Sequence, residues 1–312
     1  MRRAVPGLLL ALVLAGLHVL AAQRAAGTAG FPLDDAWIHA RLARNLSEGA
    51  GLAFNPGEPA AVSSAPLWTL LISLPAAAGV PFPWASFLVA AILAGALSLL
   101  AYLLVRRATG DEPAARLSAL LIVGTHPMPW SSVSGMETVL AAGLLALTIL
   151  AALSARPWTA FLSAAAAALS RPELVILPGL LLADLLWRER PWRLARTFRL
   201  ALGALLAGVA PFAINRLLTG AWVHASFAAK VGRHGVLPAL LDGQAGAVPS
   251  VIATNLPLFL GPLLGALARD NAALLLLAPL GLWRMAVKPG GSHLPWLVLV
   301  ALPCLVAVLA PF

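Results

Sequence analysis

Charge is scarce in this sequence. Only 11% of its 312 residues are Asp, Glu, Lys or Arg, where a soluble domain carries about 25%. Acids are scarcest, 12 against 21 Lys and Arg. The single cysteine, Cys304, lies in an apolar run, so a disulfide framework and a thiolate metal site are both excluded. Several familiar motifs are missing as well. There is no strand-linked Gly-x-Gly-x-x-Gly, no Walker loop, no His-Glu-x-x-His and no Gly-x-Ser-x-Gly.

What is present in excess is apolar surface. Hydrophobic residues make up 61% of the chain and mean hydropathy is +0.91. A soluble domain is about 45–50% apolar, and a water-soluble fold of this size cannot hide the surplus. A soluble enzyme, a nucleic-acid reader and a disordered chain are thereby excluded, which leaves a multi-span membrane protein. The net charge of +9 and pI near 11.4 do not argue for nucleic acid. The basic residues fall mostly in short clusters between apolar runs, the pattern of cytoplasmic loops. The cluster at 188–199, interleaved with Trp187 and Trp192, reads as a topology signal and an anionic-lipid contact.

The apolar runs predict an all-α polytopic bundle forming one transmembrane domain over 1–312. The first run, 4–22, follows Arg2 and Arg3 and reads as an uncleaved anchor, although Ala21-Ala22-Gln23 also resembles a signal-peptide end. Further runs cover 84–105, 115–130, 137–155, 158–170, 172–187, 200–218, 255–268, 272–287 and 294–312. Counted at roughly 20 residues per crossing, they predict about ten spans. Arg106, Arg107, Arg116 and Arg156 then belong with the 188–199 cluster on the cytoplasmic side. This solution keeps the proline-rich stretch 66–81 at the outer interface without crossing. Segments 23–65, 131–136, 171–173 and 219–254 become outer loops. The chain stops inside an apolar run, with a C-terminal soluble domain expected to be absent or truncated.

With so few acids, their places are informative. Asp34, Asp35, Glu48 and Glu58 fall in the first outer loop, and Glu137, Glu173 and Asp242 at or beyond outer helix ends. None clearly occupies the middle of a span, where ion-coupled transporters usually carry ionisable groups. Residues 31–46 read as an amphipathic helix with Trp37, Ile38, Leu42 and Leu46 on its apolar side. Asp35 and His39 are i,i+4 neighbours, and Arg41 and Arg44 are i,i+3 neighbours. Asp34 has two readings, an N-cap or, with Asp35, a general base or cation site at the membrane surface. Trp37, Trp68 and Trp130 are candidate sugar-stacking residues.

The run Asp34-Asp35-Ala36-Trp37-Ile38, then Arg41, Arg44-Asn45-Leu46 and Gly49-Ala50-Gly51-Leu52-Ala53-Phe54-Asn55-Pro56-Gly57-Glu58, resembles the first outer loop of the C-type membrane glycosyltransferases (GT-C). Bacterial arabinofuranosyltransferase-like and mannosyltransferase-like members are the most similar. Ser64-Ala65-Pro66-Leu67-Trp68 resembles that group's Ser-Pro-Leu-Trp element, with Ala65 in place of Ser. Ser134-Gly135-Met136-Glu137-Thr138 resembles its Ser-Gly-Leu-Glu-Thr, and Ser170-Arg171-Pro172-Glu173 its Thr-Arg-Pro-Glu. Ala225-Ser226-Phe227-Ala228-Ala229-Lys230 matches only in part, lacking the usual Asn and Tyr. The resemblance spans about residues 30–235.

The resemblance implies a GT-C-type bundle in a bacterial inner membrane, working at the extracytoplasmic face. The implied donor is a polyprenyl-phosphate sugar, the acceptor a glycan, lipid or protein, and the transfer inverting. Asp35, or Asp34, would be the general base. Arg171 and Lys230 are candidate donor-phosphate contacts, with Glu137, Arg41 and His39 as further substrate-binding candidates. A divalent cation at Asp34 and Asp35 is left open. The alternative reading is a non-catalytic lipid-linked-sugar binder or a flippase-like transporter.

Overall fold

In a computed structural model of the chain, the described residues are 5–59, 63–125, 128–188 and 190–223, most of a helix over Val248–Ala266, and isolated positions as far as 298. The opening helix α1 (Val5–Ala26) is followed by α2 (Asp34–Ser47) and a hairpin of β1 (Ala53–Asn55) with β2 (Glu58–Pro59). Helices α3 (Pro66–Ala77), α4 (Trp84–Thr109), α5 (Glu112–Gly124), the short α6 (Met128–Ser131) and α7 (Thr138–Leu153) come next. Then come α8 (Pro157–Ser170), a 3₁₀ turn (Pro172–Ile176), α9 (Leu177–Arg188) and α10 (Leu194–Thr219).

The protein is therefore an α-helical membrane-type chain with, among the described residues, one small β-hairpin, which an all-α reading leaves out. Among the described residues, four helices are long and apolar enough to cross a bilayer: Pro6–Ala25, Trp84–Thr109, Leu194–Thr219 and Val248–Ala266. Helices α3, α5, α7, α8 and α9 have 12 to 16 residues. At 1.5 Å per residue each reaches about 18–24 Å, less than a hydrocarbon core of about 30 Å. The runs 115–130, 137–155 and 172–187 exceed their helices because apolar turn residues extend them, whereas α8 matches its run of 158–170. The run at 115–130 ends at Gly124, where Thr125 turns extended, with Pro127 and Pro129 close behind in sequence. The runs 272–287 and 294–312 lie outside the described residues, apart from positions 295, 297 and 298.

The break between α8 and α9 has a local cause. Arg171 precedes Pro172, and the proline ring disfavours helical backbone at the residue before it. Arg171 accordingly sits at φ −149°, ψ 125°, between the end of α8 and the 3₁₀ turn. The proline-rich stretch 66–81 forms one short helix, α3. It has 12 residues and buries Trp68, Thr69, Ile72 and Ser73.

Small residues let the helices approach. Ala160, Ala164 and Ala167 of α8 pack with Ala151, Ala152, Leu177, Leu181 and Ala204 in the largest core cluster. Between membrane helices such close contact supplies the dispersion energy that water exclusion cannot. A Cβ on Gly7 of α1 would fall on Ser98 of α4. Meanwhile Leu9, Val13, Leu17 and Leu20 of α1, with Leu205, Leu206 and Val209 of α10, present exposed apolar surface suited to lipid.

Candidate functional site

Helix α2 begins without a side-chain cap. Leu33 takes the N-cap position in extended backbone (φ −119°, ψ 138°), and Asp34 is the first helical residue. The N-cap reading of Asp34 is thus displaced by one residue, since its Oδ1 accepts from the adjacent Asp35 amide at 3.0 Å. Asp34 and Asp35 remain two exposed carboxylates in the first turn, where the helix dipole favours negative charge.

The buried face of α2 differs from the expected apolar side. It consists of Ala36, His39, Ala40, Leu42, Ala43 and Asn45, whereas Trp37 is 47% exposed with its ring edge on Phe31. The alanines recur at i, i+4 and i+7, and their small side chains allow close packing that the indole would prevent. From that buried face Asn45 donates to the carbonyls of Ala53 (2.7 Å) and Phe54 (3.0 Å), and the exposed Arg41 donates through Nε to Phe54 O (3.2 Å). These two residues, one turn apart, hold the β-hairpin against α2.

A line of polar groups links α2 and α3 to the turns before α7 and after α8. Arg171 Nη1 lies 3.5 Å from Glu137 Oε1, and its Nε is 3.5 Å from Glu173 Oε2. Glu137 Oε2 lies 3.7 Å from His39 Nε2, and His39 Nδ1 meets Thr69 Oγ1 at 3.2 Å. Thr69 Oγ1 in turn sits 3.0 Å from Ser63 Oγ. Glu137 is 4% exposed, and its Oε2 has no hydrogen-bond partner among the described residues. Arg171 stays partly open, its side chain 42% exposed.

Burial sets the electrostatics. It pushes His39 down to about 4, so the imidazole is neutral. Glu137, which precedes the first residue of α7, is raised by burial, opposed by Arg171 and by its own backbone N–H, and raised further by Glu173 and Asp35. The Asp35 carboxylate is thus near enough to act on Glu137. The expected local pairing of Asp35 with His39 gives way to a long-range one, because His39 lies on the face of α2 turned towards α3 and Glu137.

Two tight contacts fix this arrangement. The Trp68 indole N–H donates to Gly135 O at 2.9 Å, and the side chain is fully buried. It therefore joins the Ser-Ala-Pro-Leu-Trp and Ser-Gly-Met-Glu elements instead of offering a face for a sugar. Gly135 has φ +79°, and a Cβ there would strike the Phe31 ring and come within 2.7 Å of Ala36 Cβ. Only glycine lets this turn lie against the start of α2.

Four of the resembling elements, those around Asp34, Trp68, Glu137 and Arg171, thus come together at one end of the molecule. Thr69 and Ser63 were missed from sequence, since a hydroxyl beside an apolar helix start carries no distinctive spacing. Lys230 and its element 225–230 lie outside the described residues, as do Asp242 and Asp270. Among the described residues no three His, Cys, Asp or Glu side chains converge as a metal set, so a cation there would have Asp34 and Asp35 as its carboxylates. Beside Arg171, a small cavity of about 60 Å³ is lined by Ser63, Ser64, Pro66, Pro172, Phe212 and Trp222 among others. Searches of protein-family models, curated proteins and solved structures find no match to the chain.

Proposed function

We propose that this protein is a GT-C-type glycosyltransferase of about ten spans, carrying a sugar from a polyprenyl phosphate to an acceptor at the extracytoplasmic face of a bacterial inner membrane. Asp35 removes the proton from the acceptor hydroxyl as its oxygen bonds to the anomeric carbon. The bond from that carbon to the phosphate oxygen breaks on the opposite face. Polyprenyl phosphate leaves with the electron pair, and the configuration inverts. Arg171 meets the phosphate with N–H groups not held by Glu137 and Glu173, since a guanidinium carries five donors. Lys230 is the second phosphate contact in this reading, and Arg41 a substrate contact.

The observation that carries the reading is the chain from Arg171 through Glu137 to His39. It links elements far apart in sequence, and its His39 stands one helical turn from Asp35 on α2. A base in front and a positive group held to one side are what an inverting displacement at a phosphate-linked carbon requires.

The test is sugar transfer by purified protein in liposomes from a panel of synthetic polyprenyl-phosphate sugars, with several acceptors and with or without divalent cation. Loss of a general base costs about 10²–10⁴-fold, so Asp35→Asn should fall by that factor while retaining donor binding, and Asp34→Asn by less. Donor binding without transfer in the wild type would sink the enzyme reading in favour of a binder or flippase.

A further inference from the structure

At the other end of the molecule lies a basic cleft that glycosyl transfer does not use. It has a volume of about 740 Å³ and forms where α4 and α7 end and α8 begins. Arg106 and Arg107 reach it from the last turn of α4, and Arg156 from the residue before α8. Leu103, Leu147 and Leu150 form part of its wall.

The three arginines are not equivalent. Arg106 lies 3.3 Å from Glu112, a carboxylate that also holds Arg116 at 3.0 Å and accepts from the Tyr102 hydroxyl at 2.9 Å. Its charge is therefore largely answered within the fold. Arg107 and Arg156 are exposed, and neither has a carboxylate partner among the described residues. The C-termini of α4 and α7 bring only about half a negative charge each to this end. Two forked cations thus face a concave space with a net positive potential.

We propose that this cleft binds the phosphate headgroup of an anionic phospholipid. Arginine pairs with two oxygens of a phosphate at once, and Arg107 and Arg156 approach the cleft from two different elements. The leucine wall distinguishes a lipid from a soluble anion. Inorganic phosphate gains nothing from apolar surface, whereas a lipid lays its first methylenes along it. The position agrees, because the cleft lies at the end of a 26-residue helix apolar enough to cross a bilayer, at the depth of headgroups. The site does not depend on the reaction proposed at the opposite end.

The experiment measures phosphatidylglycerol retained by the full chain, by native mass spectrometry, beside phosphatidylcholine and beside inorganic phosphate as competitor. Ionic strength is held near 0.15 M, where exposed charges more than about 8 Å apart are largely screened. Wild type should prefer phosphatidylglycerol about tenfold. Arg107→Gln with Arg156→Gln should lose most of that preference while keeping its helical circular dichroism. Arg107→Lys with Arg156→Lys, which keeps charge but not the fork, should fall between them. Arg24→Gln with Arg216→Gln removes the same charge from exposed positions outside the cleft and should change binding less than twofold. Unchanged binding in the first double variant would overturn the proposal. So would an equal loss in the Arg24 and Arg216 variant, or displacement of the lipid by millimolar phosphate.

Discussion

At the residue scale, the unusual feature is a neutral histidine facing a buried carboxyl group. Burial holds His39 near 4 in the folded protein, below its ordinary 6.5. A depressed folded value gives stability that is complete above pH 6.5 and is lost as pH falls towards 4, because the unfolded chain takes up its proton first. Glu137 acts in the opposite sense. Its raised folded value means that acidification relieves the cost of a buried charge. Thermal unfolding in detergent, followed by tryptophan fluorescence, should show the wild type losing stability between pH 6.5 and 4. His39→Gln should lose less over the same range, and an equally steep loss would exclude His39 as the cause. Arg171 offers a separate prediction on the proposed transfer. Its fork touches Glu137 and Glu173 together, which a single ammonium cannot do in the same geometry. Arg171→Lys should raise the donor KM about tenfold with little change in kcat, the pattern of lost ground-state binding.

At the scale of elements, the decisive feature is the turn that carries Ser134-Gly135-Met136-Glu137 against α2. Its closeness depends on Gly135, whose positive φ and lack of a side chain admit the Phe31 ring and Ala36. Gly135→Ala should destabilise the protein by about 1–3 kcal/mol from backbone strain alone, and more where Phe31 must move. Thermal unfolding reads the first effect and donor binding the second, since displacement of α2 separates the Asp pair from Arg171. A variant that melts like wild type would show that the contact is not needed. The sequence marked this glycine within a motif, but the motif does not say what lies against it.

At the scale of the whole molecule, charge and geometry divide the chain into two ends. Phe87, near the start of α4, packs its ring edge on Phe31 at 5.8 Å, which puts that end of the helix beside the Asp-bearing loop. Arg107 lies about 30 Å further along the same helix at 1.5 Å per residue, at the basic cleft. In a Cys304→Ser background, Glu58→Cys should react with an impermeant maleimide from one side of sealed vesicles. Arg107→Cys should react only from the other. Labelling of both from the same side would mean that the α4 helix does not span the bilayer.

The sequence alone determines what depends on near neighbours. Membrane character follows from summed hydropathy, α2 from its amphipathic spacing, and the break at Arg171 from the proline beside it. The β-hairpin was not foreseen, since its strands of three and two residues are held by side chains of α2 and carry no periodicity. Tertiary structure decided the partners. Local spacing placed His39 one turn from Asp35, yet the imidazole meets Glu137 and Thr69, and Trp68 is a fully buried pillar. Helical spacing determines which residues share a face; what that face meets depends on how distant helices pack, and no spacing within one helix encodes it.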